Sequence, residues 1–211
     1  MVEGVDGRTH HLRFSDLEVT GDAKVGAIVE ARVYDDANVR KRLSLATRSD
    51  FTLQEQIGAP GAPWLDRQLL TKDATFSGSG FGAEVQEAME CRIEHLARDG
   101  FARRQGQRVI FTRDLLETLR RRELDGAAHG IAAETGLPYR PSAKGEHVVD
   151  IYRRRVTLSS GRFAMIDDGL GFQFVPWRPA LEQQLGRQVS GLMMPGGKVD
   201  WSFGRKRGLG L

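Results

Sequence analysis

The feature of this sequence that most constrains its fold is a succession of short β-type segments in the last third of the chain. Residues 152–158, 162–166 and 172–175 carry aromatic and branched aliphatic side chains, and turns that contain Gly161 and Gly169 separate them. Short apolar runs bounded by glycine turns are typical of antiparallel strands. The pattern therefore predicts a three-stranded meander.

The segments that follow complete the pattern of a small barrel. Residues 179–185 predict a short helix that Gly186 closes, and residues 188–193 and 198–203 predict two strands around a Pro-Gly-Gly turn. Three strands, a helix and two strands form the element order of an OB-like barrel. Residues 138–211 are therefore predicted to form a small basic β-barrel with an arginine-rich tail.

The first part of the chain, residues 1–48, is predicted to be rich in strand. Residues 25–33 contain several β-branched side chains, and residues 40–46 place Leu43 and Leu45 on one face. A turn-prone Asp-Asp-Ala-Asn sequence separates the two runs, which is the pattern of a β-hairpin.

The middle of the chain, residues 49–137, is predicted to be helical. Apolar side chains recur there at helical spacing: Val85, Met89, Ile93 and Leu96. A hairpin that turns near Gln105-Gly106 follows, and then another helix that runs towards Gly136. The short helices, the longer helix and the basic hairpin in this order outline a winged-helix module. The whole chain is thus predicted to be α+β, with a β-rich N-terminal hairpin, a winged-helix-like middle and an OB-like C-terminal barrel.

The positive charge of the chain is concentrated in its last third. Residues 1–60 hold 8 basic and 10 acidic side chains, residues 61–136 hold 11 and 12, and residues 137–211 hold 12 and 6. Arginine, which binds phosphate in a bidentate manner, supplies 25 of the 31 basic residues. The distribution favours an anionic partner for the last third, and nucleic acid is the obvious candidate.

Candidate contacts to nucleic acid come from the predicted wing, from the first barrel strand and from a Trp-Arg pair. They are Arg103, Arg104, Arg108, Arg153, Arg154, Arg155, Trp177 and Arg178. Wing arginines bind the phosphate backbone or a narrow minor groove. For each arginine cluster, a solvated surface without a ligand is the competing interpretation.

Aromatic side chains of the barrel and the basic tail extend this hypothesis. Single-stranded nucleic acid stacks on aromatic platforms, for which the candidates are Phe163, Phe172, Phe174 and Trp177. Burial in the core is the more frequent fate of such residues. The tail basic residues, Arg205, Lys206 and Arg207, are candidates for phosphate contact or for recognition by an acidic receptor.

The sequence predicts no catalytic residue, metal site or cofactor. His10 and His11 are adjacent and point to opposite faces of a strand, so they do not share an ion. Asp167 and Asp168 precede Gly169, as turn residues do, and this explains them better than a metal pair. Cys91 is the only cysteine and lies in a predicted helix, which indicates an inert thiol.

The chain is expected to be cytoplasmic and not inserted in a membrane. It lacks the run of about 18 uncharged apolar residues that a membrane-spanning helix requires. Its N-terminus also lacks the basic start and apolar run of a secretory signal.

Several sequence strings occur in an order that resembles a known family. They are Trp-Leu-Asp-Arg-Gln-Leu at 64–69, Leu-Arg-Arg-Arg-Glu-Leu at 119–124, Ser-Gly-Arg-Phe-Ala-Met-Ile at 160–166, Val-Pro-Trp-Arg-Pro at 175–179 and Trp-Ser-Phe-Gly-Arg-Lys-Arg-Gly-Leu-Gly at 201–210. Together they resemble the C-terminal region of unknown function that follows the nuclease domain in Vir-type conjugative relaxases. The nicking tyrosine and metal-binding histidines of that family belong to the upstream domain, so the resemblance transfers no catalytic residue to this chain.

The resemblance implies a non-catalytic, DNA-associating region that acts in plasmid mobilisation. The implied partners are single- or double-stranded plasmid DNA, an upstream relaxase nuclease domain and a type IV secretion coupling protein. It also implies that the chain is a fragment of a longer protein. A protein-interaction or secretion-signal module without direct DNA binding is the alternative, and an undetected hydrolase ranks third.

Overall fold

The computed structural model describes residues 1–14, 22–36, 39–71, 75–143, 145–194 and 198–202. Helices and antiparallel strand pairs are both present, so the predicted α+β class is confirmed. The chain packs as two units, Met1–Glu123 with Ser159–Gly161, and Leu124–Leu158 with Arg162–Leu211. Residues 1–48 and residues 49–123 of the middle segment pack in the same unit. No helix in the described ranges is long and apolar enough to cross a membrane.

The strands of the first unit form separate two-stranded pairs. Their bounds are β1 Val2–Glu3, β2 Thr9–His10, β3 Ile28–Asp36 and β4 Val39–Ser49. β1 pairs with β2, and β3 pairs with β4, both antiparallel. The β3–β4 pair is the hairpin that the sequence predicts for this part of the chain.

The helices that begin in the first unit are short except for two, and the last of them continues into the second unit from Leu124. The elements are α1 Leu53–Ile57, α2 Trp64–Leu69, α3 Gly80–Arg98, β5 Ala102–Gln105, β6 Arg108–Phe111 and α4 Leu115–Thr135. Thr52 and Glu55 form a capping box at the start of α1, which satisfies backbone donors that the helix leaves open. The β5–β6 hairpin turns where the sequence predicts it, and Gly106 adopts the positive φ of 60°.

A fully buried ion pair holds α2, α3 and the loop between α1 and α2 together. Arg92 donates from Nε and Nη2 to the two carboxylate oxygens of Asp66, each over 2.8 Å. It also donates to the backbone carbonyls of Ile57, Ala59 and Gly61. All five guanidinium donors therefore have an acceptor. Burial raises the pKa of Asp66, and the hydrogen bonds from Arg92 oppose that rise.

A second buried carboxylate organises the Ser159–Gly161 turn within the first unit. Glu123 accepts hydrogen bonds from the backbone N–H and the hydroxyl of Ser159 at 2.8 and 2.6 Å. It also accepts one from the N–H of Ser160 at 3.0 Å. The hydroxyl of Ser160 in turn accepts a hydrogen bond from Ala62. A side chain at Gly61 would displace the Glu123 carboxylate from these hydrogen bonds.

The second unit is built on a five-stranded sheet in the order β11-β10-β7-β8-β9. Its elements are β7 His147–Leu158, β8 Gly161–Asp167, β9 Phe172–Pro176, a 3-10 helix Pro179–Gln184, β10 Gln188–Met193 and β11 Val199–Trp201. β7, β8 and β9 are neighbours in sequence and in the sheet, so the predicted meander is confirmed. The predicted order of three strands, a helix and two strands is also confirmed.

The sheet does not close into the predicted barrel. β9 and β11 are its two edges and do not pair with each other in the part of the chain that the structure describes. At the outer edge of β9, the backbone of residues 138–140 pairs with Phe172. Phe172 donates to Pro138 at 3.0 Å, and Arg140 donates to Phe172 at 2.8 Å. This segment occupies backbone groups of β9 that barrel closure would need.

The two faces of the sheet carry separate apolar clusters because side chains alternate along each strand. One cluster includes Tyr152, Ala164, Ile166 and Leu181. The other packs against the second half of α4 and contains Ala128, Ile131, Phe163, Met165, Phe172 and Phe174. The three phenylalanines are buried, so the core interpretation of these residues is confirmed and they are not platforms for bases.

Candidate nucleic-acid interface

The β5–β6 hairpin separates the three arginines that the sequence groups as a wing. Arg103 pairs with Ile110, and Gln105 pairs with Arg108, which places Arg103 and Arg108 on one face. Arg104 lies on the opposite face with Ala102, which is buried. Its guanidinium forms an ion pair with Glu90 of α3. Two exposed arginines therefore remain on the outward face.

The exposed side of α3 is acidic. Four glutamates at spacings of three and four residues form a row along it: Glu84, Glu87, Glu90 and Glu94. In a winged helix, the helix before the hairpin enters the major groove of DNA. A row of carboxylates is repelled by phosphates, so this side of α3 does not suit DNA.

The arginine run of β7 is paired with carboxylates of the second unit. Arg153 donates to Asp167 at 2.9 Å, and Arg154 donates to Glu134 at 3.1 Å. Arg155 lies 3.8 Å from Glu182, which is longer than a hydrogen bond. The three neighbouring arginines thus point to three different carboxylates.

Arg155 belongs to a group of side chains that the sequence does not bring together. Its Cζ lies 5.0 Å from the ring centroid of Trp177, and the Cζ of Arg162 lies 5.4 Å from the same ring. Both distances are within the range of cation–π contacts, which is about 6 Å. We name Arg155, Arg162, Trp177 and Glu182 the Arg–Trp cluster. It holds two guanidinium groups and one carboxylate.

The fold fixes the geometry of the Arg–Trp cluster. Trp177 follows β9, and its backbone N–H donates to the carbonyl of Arg162 at the start of β8, over 3.0 Å. The indole also packs on the apolar cluster that contains Tyr152. Burial raises the pKa of Tyr152, which is almost fully buried in this cluster. The tryptophan is therefore anchored on one side while the arginines lie over its ring.

Arg178 lies next to the cluster in sequence and is exposed at the start of the 3-10 helix. The remaining predicted contacts, Arg205, Lys206 and Arg207, lie outside the described residues. The structure describes the other eight predicted contacts. Two of them, Arg155 and Trp177, belong to the cluster, and Arg178 follows Trp177 in the sequence. The cluster adds Arg162 and Glu182, which sequence reasoning missed.

Asp167 and Asp168 form the turn that their sequence indicates. Gly169 donates to Asp167 at 2.6 Å, and Leu170 donates to Asp168 at 2.8 Å. The hydrogen bond from Leu170 is the main reason why the pKa of Asp168 is lowered. Burial raises the pKa of nearby Asp150, and the charges of Asp168 and Asp167 add to this. Within the described ranges, no group of three or more His, Cys, Asp or Glu side chains is arranged to hold a metal ion.

The fold and this geometry define the class of the protein as a two-unit α+β protein with an arginine–tryptophan surface cluster. A family model described as "Protein of unknown function (DUF3363)" matches residues 30–210. The chain therefore belongs to this family, which covers both units. No curated protein and no solved structure matches the chain.

Proposed function

We propose that the chain is a non-catalytic region that binds DNA through the Arg–Trp cluster of its second unit. The observation that carries this proposal is the pair of guanidinium groups, Arg155 and Arg162, held over one anchored indole ring. Two arginines fixed in this way present several N–H donors to phosphate oxygens at little entropic cost. Exposed Arg178 extends the positive surface.

The cluster favours the sugar–phosphate backbone over bases. Because guanidinium groups lie over the Trp177 ring, a base would have to displace one of them before it could stack there. Trp177 acts in this proposal as a support that orients the arginines. We therefore expect binding that depends strongly on salt and little on sequence.

In a winged-helix interpretation of the first unit, α1, α2 and α3 precede the β5–β6 wing. The acidic side of α3 disfavours the groove contact of such a module. We therefore assign the first unit at most a contact with the DNA backbone through Arg103 and Arg108.

The relaxase context and the role in plasmid mobilisation are part of the same proposal, and the five sequence strings support them.

The test is the affinity of the full chain for a labelled single-stranded oligonucleotide of about 20 bases, and for its duplex, across a series of salt concentrations. Arg155→Gln/Arg162→Gln should lower the affinity at least about tenfold at low salt. The slope of log K against log salt should fall by about 0.7 for each lost phosphate contact on a single strand. Arg162→Lys, which keeps the charge, should lose less.

The matched control is Arg103→Gln/Arg108→Gln, which removes the same charge from the outward face of the hairpin. It should leave most of the affinity. Loss of binding in the control with normal binding in the cluster variant would move the DNA surface to the hairpin. Equal affinities and slopes in all variants, or no binding by the parent chain, would overturn the proposal.

A further inference from the structure

The first unit contains a groove that is separate from the Arg–Trp cluster and combines apolar and acidic side chains. It is a cavity of about 500 Å³ between α1 and α3, and a second cavity of about 580 Å³ adjoins it. The two share Glu3, Gly26, Ile28 and Phe81. The two cavities together therefore form an elongated groove.

The lining of the first cavity is apolar along its floor. The apolar residues that line it are Ile28, Leu53, Ile57, Phe81, Ala88 and Cys91. Several of them belong to the cluster around Leu65 and Val85, so the floor is a continuation of the core of this unit. An apolar floor that is open to solvent is typical of a docking site.

The rim of the same cavity is acidic. Glu84 and Glu87 of α3 and Glu3 of β1 line it, and all three are exposed. None of them forms an ion pair with another residue that the structure describes. The first cavity consequently offers three carboxylates beside apolar surface, while Lys24 lines the second cavity.

We propose that this groove binds a basic amphipathic helix of a partner protein. A helix laid between α1 and α3 places apolar side chains on the floor, at positions i, i+3 and i+4. Its lysines or arginines then meet Glu84 and Glu87, which lie one turn apart on α3. The charge of the rim repels nucleic acid and acidic peptides, so the occupant is cationic. This inference stands independently of the proposed DNA binding.

The test uses a labelled helical peptide of about 14 residues, roughly four turns, with leucines on one face and lysines on the other. Its affinity for the full chain is measured by fluorescence anisotropy. Because Cys91 is the only cysteine and lines the groove, its rate of reaction with a maleimide reports where the peptide binds. The peptide should bind in the micromolar range and slow the labelling of Cys91.

The variant Glu84→Gln/Glu87→Gln should weaken peptide binding about fivefold and reduce its salt dependence. The control Glu90→Gln/Glu94→Gln changes the same charge on the same helix outside the groove, and it should change the affinity less than about twofold. A peptide with glutamate in place of lysine should not bind.

Four results would overturn the proposal. They are no binding up to about 100 µM peptide, equal binding of the acidic peptide, binding that leaves Cys91 labelling unchanged, and equal losses in the two double variants. Protection of Cys91 by an apolar dye but not by the peptide would assign the groove to small ligands instead.

Discussion

The two units of this protein use arginine in opposite ways. In the first unit, Arg92 is fully buried, and each of its donors is committed to an acceptor of the same unit. In the second unit, Arg155 and Arg162 lie over the ring of Trp177 near the surface. Arg92 thus holds the first unit together, whereas the proposed function gives Arg155 and Arg162 the task of binding phosphate.

The charge balance of the units follows the same division. The first unit holds 19 basic and 20 acidic residues, and the second holds 12 and 8. The exposed side of α3 and the rim of the groove are acidic, and the Arg–Trp cluster is basic. The contrast indicates different partners, a cationic protein segment for the first unit and an anionic polymer for the second.

The largest effect is expected from a substitution that removes the buried Arg92–Asp66 ion pair of the first unit. Arg92→Met leaves Asp66 buried without its partner and three carbonyls without their donor, so it should cost about 3–5 kcal/mol of the free energy of unfolding. Urea unfolding followed by circular dichroism measures this loss. Arg178→Met in the second unit is the control, and we expect a change within about 0.5 kcal/mol because Arg178 is exposed.

A double variant separates the buried charge from the packing. In Arg92→Met/Asp66→Leu the unpaired carboxylate is gone, so part of the lost stability should return. Equal unfolding free energies for Arg92→Met and Arg178→Met would show that the two units do not differ in the way proposed here.

A smaller loss is expected from Glu123, the other internal charge of the first unit. Glu123→Ala removes the acceptor of the backbone N–H groups of Ser159 and Ser160, which are buried, and should cost about 2–3 kcal/mol. Glu117→Ala is the matched control on the same helix, because Glu117 is exposed and forms a surface ion pair with Arg120. If both variants unfold at the same urea concentration, Glu123 does not stabilise the turn.

The sequence predicts those parts of the fold that local chemistry decides. Gly161 and Gly169 adopt φ values of 135° and 80°, which few other residues tolerate, and they mark the turns of the meander. The backbone pairing of Phe172 with residues 138–140 at the edge of the sheet leaves no side-chain pattern. The predicted OB-like barrel is not confirmed.

The candidate site was predicted only in part for a similar reason. Trp177 and Arg155 stand out by residue type, but Arg162 joins them only through the register of β8 with β9, in which Phe163 faces Pro176. A register is not visible in one sequence. The burial of Arg92 could have been predicted, because Arg92 lies on the same face of the helix as Val85, Ala88 and Leu96, which are buried.

The smallest effect is expected for the affinity of the Arg–Trp cluster for DNA. Glu182 lies 3.8 Å from Arg155 and competes with a phosphate for the same guanidinium. Exposed ion pairs contribute about 0.2–1 kcal/mol, so Glu182→Gln should raise the affinity for single-stranded DNA about two- to fivefold at low salt. The gain should shrink as salt screens the carboxylate. Glu134→Gln is the control, because Glu134 neutralises Arg154 outside the Arg–Trp cluster. An equal gain in both variants would mean that the net charge of the second unit governs binding, and the cluster would lose its special role.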